Sequence, residues 1–400
     1  MPPKMKEFSK KSQAKDLSVK SLSEYVKLLE KYSSKSYFFR GENSFFKERT
    51  AKAFHHYDEE VKNHSVWKAK YHDFMKAVDT FHSEIAYRLK EYERSHFLAF
   101  SQHYGVPTNL IDVSSSPLTA LYFACYRKST DKSTDGYVYV FDDKYIDIGL
   151  IISKSLKKDF IELMLKKDLS TILAFVKEMQ QFQSRYPQQF EELFDDLISD
   201  MKCYLGKTLG RGDPVKKLKR YKKKRHNDFG WETNNSFAAH SLNEKHEYVD
   251  IKLGNITDVS SPVFVYTILI IHLISQLHEF KVYVYWFNGL PQMVYRPDIL
   301  FERARIQRGF FIAQAFMHYT DPDYKVNTLA RQRIHFEQRI KVEDPARVLK
   351  ELDNIGVNRA SIYGDLDNIA AHIVDRYKPT TDAGQSENPQ LPSDAKNNPV

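Results

Sequence analysis

Cysteine is nearly absent: Cys125 and Cys203 are the two in 400 residues. Two thiols cannot frame a protein of this size with disulfides, so nothing points to an oxidising compartment and a cytoplasmic protein is expected. A long apolar run is missing too. The most apolar stretch, Pro262 to Leu277 (PVFVYTILIIHLISQL), falls short of the roughly 18 residues that a membrane span needs, and His272 interrupts it. A buried strand or helix is expected there, and no membrane partner. The N-terminal MPPKMKEFSKKSQAKD carries charge without an apolar stretch behind it, so no secretory signal is expected. There is no Walker-type or dinucleotide-binding glycine loop. His55, His56, His72, His82 and His96 lack a paired carboxylate at ligand spacing, so no metal centre is expected. Neither cysteine has the neighbouring charge and histidine that activate a thiol.

What the chain does have is apolar and aromatic material. With 42% hydrophobic residues, 27 Phe and 25 Tyr, it can bury a large, ring-rich core, which excludes disorder of the whole chain. The net charge of +8 permits a polyanionic partner. Residues 1–17 form a solvated basic tail and 378–400 a polar, Pro- and Asn-rich one, both expected to be disordered. The stretch 18–377 between them shows no internal repeat.

Helical spacing of Val19, Leu22, Tyr25, Val26 and Leu29 predicts a helix over Ser18 to Tyr32. A short strand, Tyr37 to Arg40, is expected to stop at a turn made by Gly41. A stripe from Trp67 through Phe74, Val78, Phe81 and Ile85 to Leu89 predicts one long helix over 64–100. Pro117 and the serines before it prepare a helix over Leu118 to Tyr126, and Tyr137 to Phe141 is a strand. Residues 150–240 read as a helical, Lys-rich insertion. Strands are expected at Lys281 to Phe287 and from Gly309, and a helix pair at Pro345 to Tyr377. The fold class expected is α+β, a mixed or antiparallel central sheet with helical cover.

Three segments could carry chemistry. Gln102 to Asp112 (QHYGVPTNLID) gathers His103, Tyr104, Thr108 and Asp112 on one loop, where His103 and Asp112 suit an acid/base or substrate-orienting pair. The alternative is a capping Asp112 and a structural His103. In FFRGE, Arg40 is made for a phosphate or carboxylate, with Gly41 admitting a close backbone approach and Glu42 beside it. An ion pair of Arg40 with Glu42 or Asp112 is the competing reading. Gln307, at a strand boundary in RARIQRGFFIA, could read a ligand with its amide or simply end a strand. A basic run supplies a fourth feature: Lys216, Lys217, Lys219, Arg220, Lys222, Lys223, Lys224 and Arg225 surround Tyr221, suited to phosphate contacts and base stacking or to a solvated loop.

Taken together, Phe39-Arg40-Gly41, the His-Tyr-Gly-x-Pro-Thr block with the PLTALYFA helix after it, Gln307-Arg308-Gly309-Phe310-Phe311, and the closing LKELDNIGVNRASIYGDLDNIA resemble the FRG domain family. The resemblance covers about 19–377. The chain has Asn109 where the family usually has Arg, and Val113 where it has Trp. The order of motifs is also similar to that of the ADP-ribosyltransferase superfamily. That likeness implies an NAD or nucleotide ligand: Arg40 on the nicotinamide-side phosphate, Tyr104 stacked on the nicotinamide, and His103 on a ribose hydroxyl. It implies Asp112 behind His103, Gln307 in the place of the usual glutamate, and Gly41, Glu42 and Thr108 beside the ligand. It implies a protein or nucleic-acid acceptor and an effector role in bacterial or phage conflict. A nucleic-acid-binding protein or nuclease using the basic run, and a non-enzymatic interaction module, are the other two classes.

Overall fold

A computed structural model describes residues 16–32, 36–46, 48–55, 74–127, 135–153, 160–205, 262–279, 288–298, 301–321 and 326–377. Residues 1–15 and 378–400 of the expected tails, the basic run and the strand expected at 281–287 lie outside these residues, while Leu17, expected in the N-terminal tail, is in the first strand. The strands are β1 (Leu17–Val19), β2 (Phe38–Glu42), β3 (Leu110–Ser114), β4 (Gly136–Phe141), β5 (Ile146–Asp147), β6 (Met293–Tyr295), β7 (Gly309–Ala313), β8 (Phe316–Asp321), β9 (Val326–Arg331) and β10 (Gln338–Val342). Eight of them form one sheet, in the order β1-β10-β4-β2-β3-β7-β6-β5, and β8 and β9 make a separate hairpin. The interior pairings are antiparallel, and the edge pairs β1–β10 and β5–β6 are parallel. The fold is α+β with a mixed sheet, as the sequence predicts.

The helices are α1 (Leu22–Leu29), α2 (Phe74–Ile85), α3 (Glu91–Ser95), α4 (Phe97–His103), α5 (Pro117–Cys125), α6 (Gly149–Ser153), α7 (Phe160–Leu165), α8 (Leu169–Arg185), α9 (Pro187–Leu205), α10 (Pro262–Glu279), α11 (Glu302–Ile306), α12 (Pro345–Asn354), α13 (Arg359–Tyr363) and α14 (Leu366–Arg376). Several differ from expectation. Val19 belongs to an edge strand, and the first helix begins later, capped by the Ser21 hydroxyl, which accepts from Glu24 N at 3.3 Å. The expected helix over 64–100 is broken after Ile85. There the Arg94 guanidinium takes the carbonyls of Leu89 (3.2 Å) and Ala86 (2.8 Å), and Glu93 accepts from Lys90 N, satisfying the backbone groups that the break releases. The closing helix pair is three helices, because Gly364 adopts φ 71 and ends α13.

Alternation in FFRGE sends successive side chains to opposite sides of the sheet. Phe38 enters the larger core, which also holds Tyr139, Phe141, Phe310 and helices α6 to α10. Phe39 enters a smaller core with α5, α12 and the edge strands. Each buried Phe contributes about 2 to 3 kcal/mol. The run at 262 is the helix α10, long and apolar enough by length and composition to cross a membrane, yet over half buried against α7, α8 and α9.

Gly41 does not stop β2 at a turn. The strand runs through it to Glu42, and a Cβ there would lie 1.8 Å from the Ala120 carbonyl oxygen and 2.7 Å from Ala124 N, both backbone atoms of α5. Gly136 on β4 meets α5 the same way, 2.2 Å from the Ala124 carbonyl oxygen. The glycine that seemed to invite a ligand instead seats a helix. Backbone atoms cannot swing aside, so Gly41→Ala is expected to lower unfolding stability by at least about 3 kcal/mol in urea titration, or to prevent folding.

Asp200 on α9 ties down the turn before β6. It accepts from Asn288 N (2.9 Å), Asn288 Nδ2 (3.1 Å) and Gly289 N (2.8 Å), and Tyr266 donates to the Gly289 carbonyl at 2.5 Å. Burial pushes the Asp200 carboxyl up to about 6, against these opposing hydrogen bonds. The folded protein therefore holds this proton more tightly than the unfolded chain does. Its stabilising effect is complete below about pH 4 and is lost as pH rises through about 6, a swing on the order of 3 kcal/mol. Denaturation midpoints measured from pH 4 to 7 should fall more steeply for the wild type than for Asp200→Asn.

Candidate functional site

The family motifs meet where β2 and β3 part. These strands pair at a single rung, Phe39↔Ser114, whereas β2–β4 and β3–β7 each pair over five. Beyond the rung Arg40 crosses the gap, its Nη1 donating to the Asp112 carbonyl and its Nε to Glu42 Oε1, both at 2.8 Å. Burial would lower the Arg40 pKa, but the Glu42 charge, the hydrogen bond to it and Asp112 outweigh that, so the guanidinium is held protonated more firmly than usual. Arg49 lies on the other side of Glu42, 3.7 Å from Oε2, with its guanidinium 4.0 Å over the Tyr139 ring. Burial pushes the Arg49 pKa down from its ordinary value. One buried carboxylate thus serves two arginines. The competing reading of Arg40 as an ion pair is realised with Glu42. With Asp112 it runs through the backbone carbonyl, and the Asp112 residue itself is exposed.

His103 ends α4 and lies elsewhere. Its ring stacks on Phe301 with centroids 3.7 Å apart and planes 8° apart, and Tyr104 meets both rings edge-on. Tyr104 is 60% exposed, a ring with one face toward solvent. No hydrogen bond joins His103 to Asp112 among the described residues. Thr108 is fully buried: its hydroxyl donates to Gln102 Oε1 and accepts from Leu110 N, locking the loop rather than facing outward. Asn109 and Val113 are also buried. Asn109 donates to the Gln314 carbonyl at 3.1 Å, and the Gln314 side chain bonds Ala51 N and the Gln332 carbonyl. The positions where the family has a cation and a large ring are core positions in this chain.

Gln307 follows α11 and donates to the Ile362 carbonyl at 3.2 Å, tethering α13; its own carbonyl accepts from the Ser114 hydroxyl at 2.6 Å. Arg308 adopts φ 47, a left-handed conformation costly for a non-glycine residue, and its carbonyl takes Ser115 N at 3.1 Å. No hydrogen bond, ion pair or ring contact among the described residues links Arg40, His103 and Gln307 to one another. Beside the Phe39↔Ser114 rung lies a cavity of about 520 Å³, walled by Phe38 and Phe39 from β2, Ser115 and Pro117 before and on α5, and Phe310 from β7, with Tyr145 and Arg296; Arg40, Gln307 and the segment Gln102 to Asp112 are not in its wall. The Arg296 guanidinium sits 4.5 Å over the Phe310 ring and donates to the Tyr145 hydroxyl at 2.6 Å.

Residues 35–133 match the family model of the FRG domain. The chain carries an FRG domain. The matched residues take in the Phe-Arg-Gly strand, the His-Tyr-Gly block and α5, and so the elements on both sides of the parting strands. Gln307 and the closing helices lie beyond the match. No curated protein and no solved structure matches the chain.

Sequence reasoning did not find Tyr145 and Arg296 of the cavity, which lie beyond the matched residues, because neither stands in a motif or a charge run. Ser115 was hidden in a serine run read as capping material. The described residues gather no group of three His, Cys, Asp or Glu that could hold a metal ion. Cys125 is buried, which pushes its thiol up to about 12 and leaves it unsuited to nucleophilic work.

Burial and then the Arg303 charge depress the His103 pKa below its ordinary value, so the imidazole stays neutral at pH 7. Arg303→Ala should raise that pKa, and a proton NMR titration of the imidazole should show its midpoint moving to higher pH.

Proposed function

We propose that the FRG domain binds an NAD-class nucleotide in the cavity at the β2–β3–β7 junction. One observation carries this reading: Phe38 and Phe39 of β2, Ser115 and Pro117 at the start of α5, and Phe310 of β7, far apart in sequence, converge on an aromatic cavity holding a guanidinium. Its volume of about 520 Å³ falls in the range of about 300 to 1,000 Å³ typical of small-molecule sites. Phe310 and Tyr145 offer ring faces to a planar base. Arg296 offers a cation held against those rings, with the Ser115 hydroxyl opposite for a phosphate or ribose oxygen. Arg40 is not in this wall: its guanidinium reaches the Asp112 carbonyl beyond the Phe39↔Ser114 rung, so Arg296 is the cation of the cavity.

Within this reading, ADP-ribosyl transfer is the reaction that the order of motifs would serve. Loss of nicotinamide places positive charge on the ribose, which an anion stabilises. Gln307 is neutral and engaged with Ile362, so it would contribute shape and not charge. The motif set holds two carboxylates, the exposed Asp112 and Glu42, which is buried between Arg40 and Arg49.

Isothermal titration of the full chain with NAD, ADP-ribose and AMP tests the binding claim. NAD should bind, and Arg296→Ala and Phe310→Leu should each weaken it about tenfold or more while leaving the melting temperature within a few degrees, leucine keeping the core beside Phe38 filled. Absence of binding by all three ligands, or binding indifferent to both substitutions, overturns the reading. Mass spectrometry of protein acceptors after incubation with NAD separates transfer from binding alone.

A further inference from the structure

Helix α14 is amphipathic in the reverse sense. At 3.6 residues per turn, Leu366, Ala370, Ile373, Val374 and Tyr377 share one side, and that side faces outward, with Leu366 83%, Ile373 51%, Val374 58% and Tyr377 81% exposed. The half-buried residues are Asn368, Ile369, Ala371 and His372, so the side toward the domain mixes polar and apolar groups. Asn368 Oδ1 accepts from Arg359 Nε at 2.8 Å, Asp375 lies 3.7 Å from the same guanidinium, and His372 lies 3.8 Å from Asp353. No residue of the helix is buried. A continuous apolar row turned to water marks a surface made for a partner.

The charges at the ends of the row select that partner. Asp365 and Arg376 flank the row on the same side at opposite ends, one a helix turn before Ile369 and the other in the last turn. Arg376 makes no ion pair among the described residues. Asp365 caps α14 by accepting from Asn368 N at 2.9 Å, both its oxygens accept from Asn368 Nδ2 at 2.8 Å, and it makes no ion pair among the described residues, so its charge stays exposed. If a second α14 lies antiparallel, related by a two-fold axis, each Arg376 falls beside Asp365 of the partner subunit. Both charge pairs then close at once, and small Ala370 leaves room for Ile373 at the centre. An anionic lipid surface or a nucleic acid fits poorly, because Asp365, Asp367 and Asp375 outnumber the single Arg376.

We propose that two copies of the chain associate through α14, packed antiparallel in an isologous contact. An eleven-residue helix is only about 16 Å long, so its footprint is well under the roughly 800 Å² per partner of a stable interface. The dimer is therefore concentration-dependent.

Sedimentation velocity of the full chain, over about 5 to 300 μM, tests this. The wild type should shift from monomer toward dimer across that range. Ile373→Glu should weaken pairing at least about tenfold without changing the melting temperature, since the side chain points away from the domain. Ile373→Leu should keep the dimer, and Arg376→Glu should weaken it more at low salt than at high salt. A monomer at every concentration, an assembly that continues past two copies, or a dimer unmoved by Ile373→Glu overturns the proposal. Sedimentation of the monomer with vesicles of anionic lipid would overturn it in favour of a membrane surface.

Discussion

The close seat of α5 on β2 and β4 is the constraint from which the rest follows. Backbone touches backbone at Gly41 and Gly136, with Ala120 and Ala124 one helical turn apart on the facing side of α5. That contact fixes the height of α5 above the sheet. It places Pro117 and Ser115 at the end of β3, and through Tyr25, whose buried hydroxyl donates to the Pro117 carbonyl at 3.0 Å, it also fixes α1. The invariable partners of such a contact are main-chain atoms, so side-chain repacking elsewhere offers no relief.

Electrostatics is organised around the same strand. Phe38, Arg40 and Glu42 project to one side of β2, and Glu42 is the buried anion between Arg40 and Arg49. A buried carboxylate with two cations near it is costly to break by removing one partner, since the remaining charges lose their compensation. Arg40 therefore has a structural duty whatever it may contact in addition: it spans the place where β3 leaves β2. The arginine of the Phe-Arg-Gly motif and the glycine after it do different jobs, one closing a gap between strands and the other admitting a helix.

Periodicity and punctuation made much of the fold legible. Alternation in YVYVF gave β4, the serines and Pro117 gave α5, and Gly309 gave the start of β7, each because a local rule and the tertiary fold agree. The failures were places where tertiary partners decide. The stripe through Leu89 continues across the break after Ile85, since Leu89 still reaches the core while Arg94 and Glu93 satisfy the broken backbone. Gly41 reads equally well as a turn or a ligand contact, because a sequence tells that a backbone comes close and not whose backbone it is. The site was legible in its segments and less so in its side chains. The cavity takes its rings from Tyr32, Tyr37, Phe38, Phe39, Tyr145 and Phe310 and its cation from Arg296, while His103 belongs to a stack with Phe301.

The single rung between β2 and β3 has a mechanical meaning. The eight strands divide there into two leaves, one carrying α5 and the closing helices, the other carrying β7, β6 and the helices that follow β5. Between the strands themselves the leaves share one rung and one guanidinium bond, where β2–β4 and β3–β7 each hold five rungs; the Gln307–Ile362 bond and the packing of Phe38 on Phe310 and Tyr145 tie them outside the ladder. The sheet is thus a book with its spine at Phe39 and Ser114, and the cavity opens along that spine. Whatever enters it leans on both pages at once.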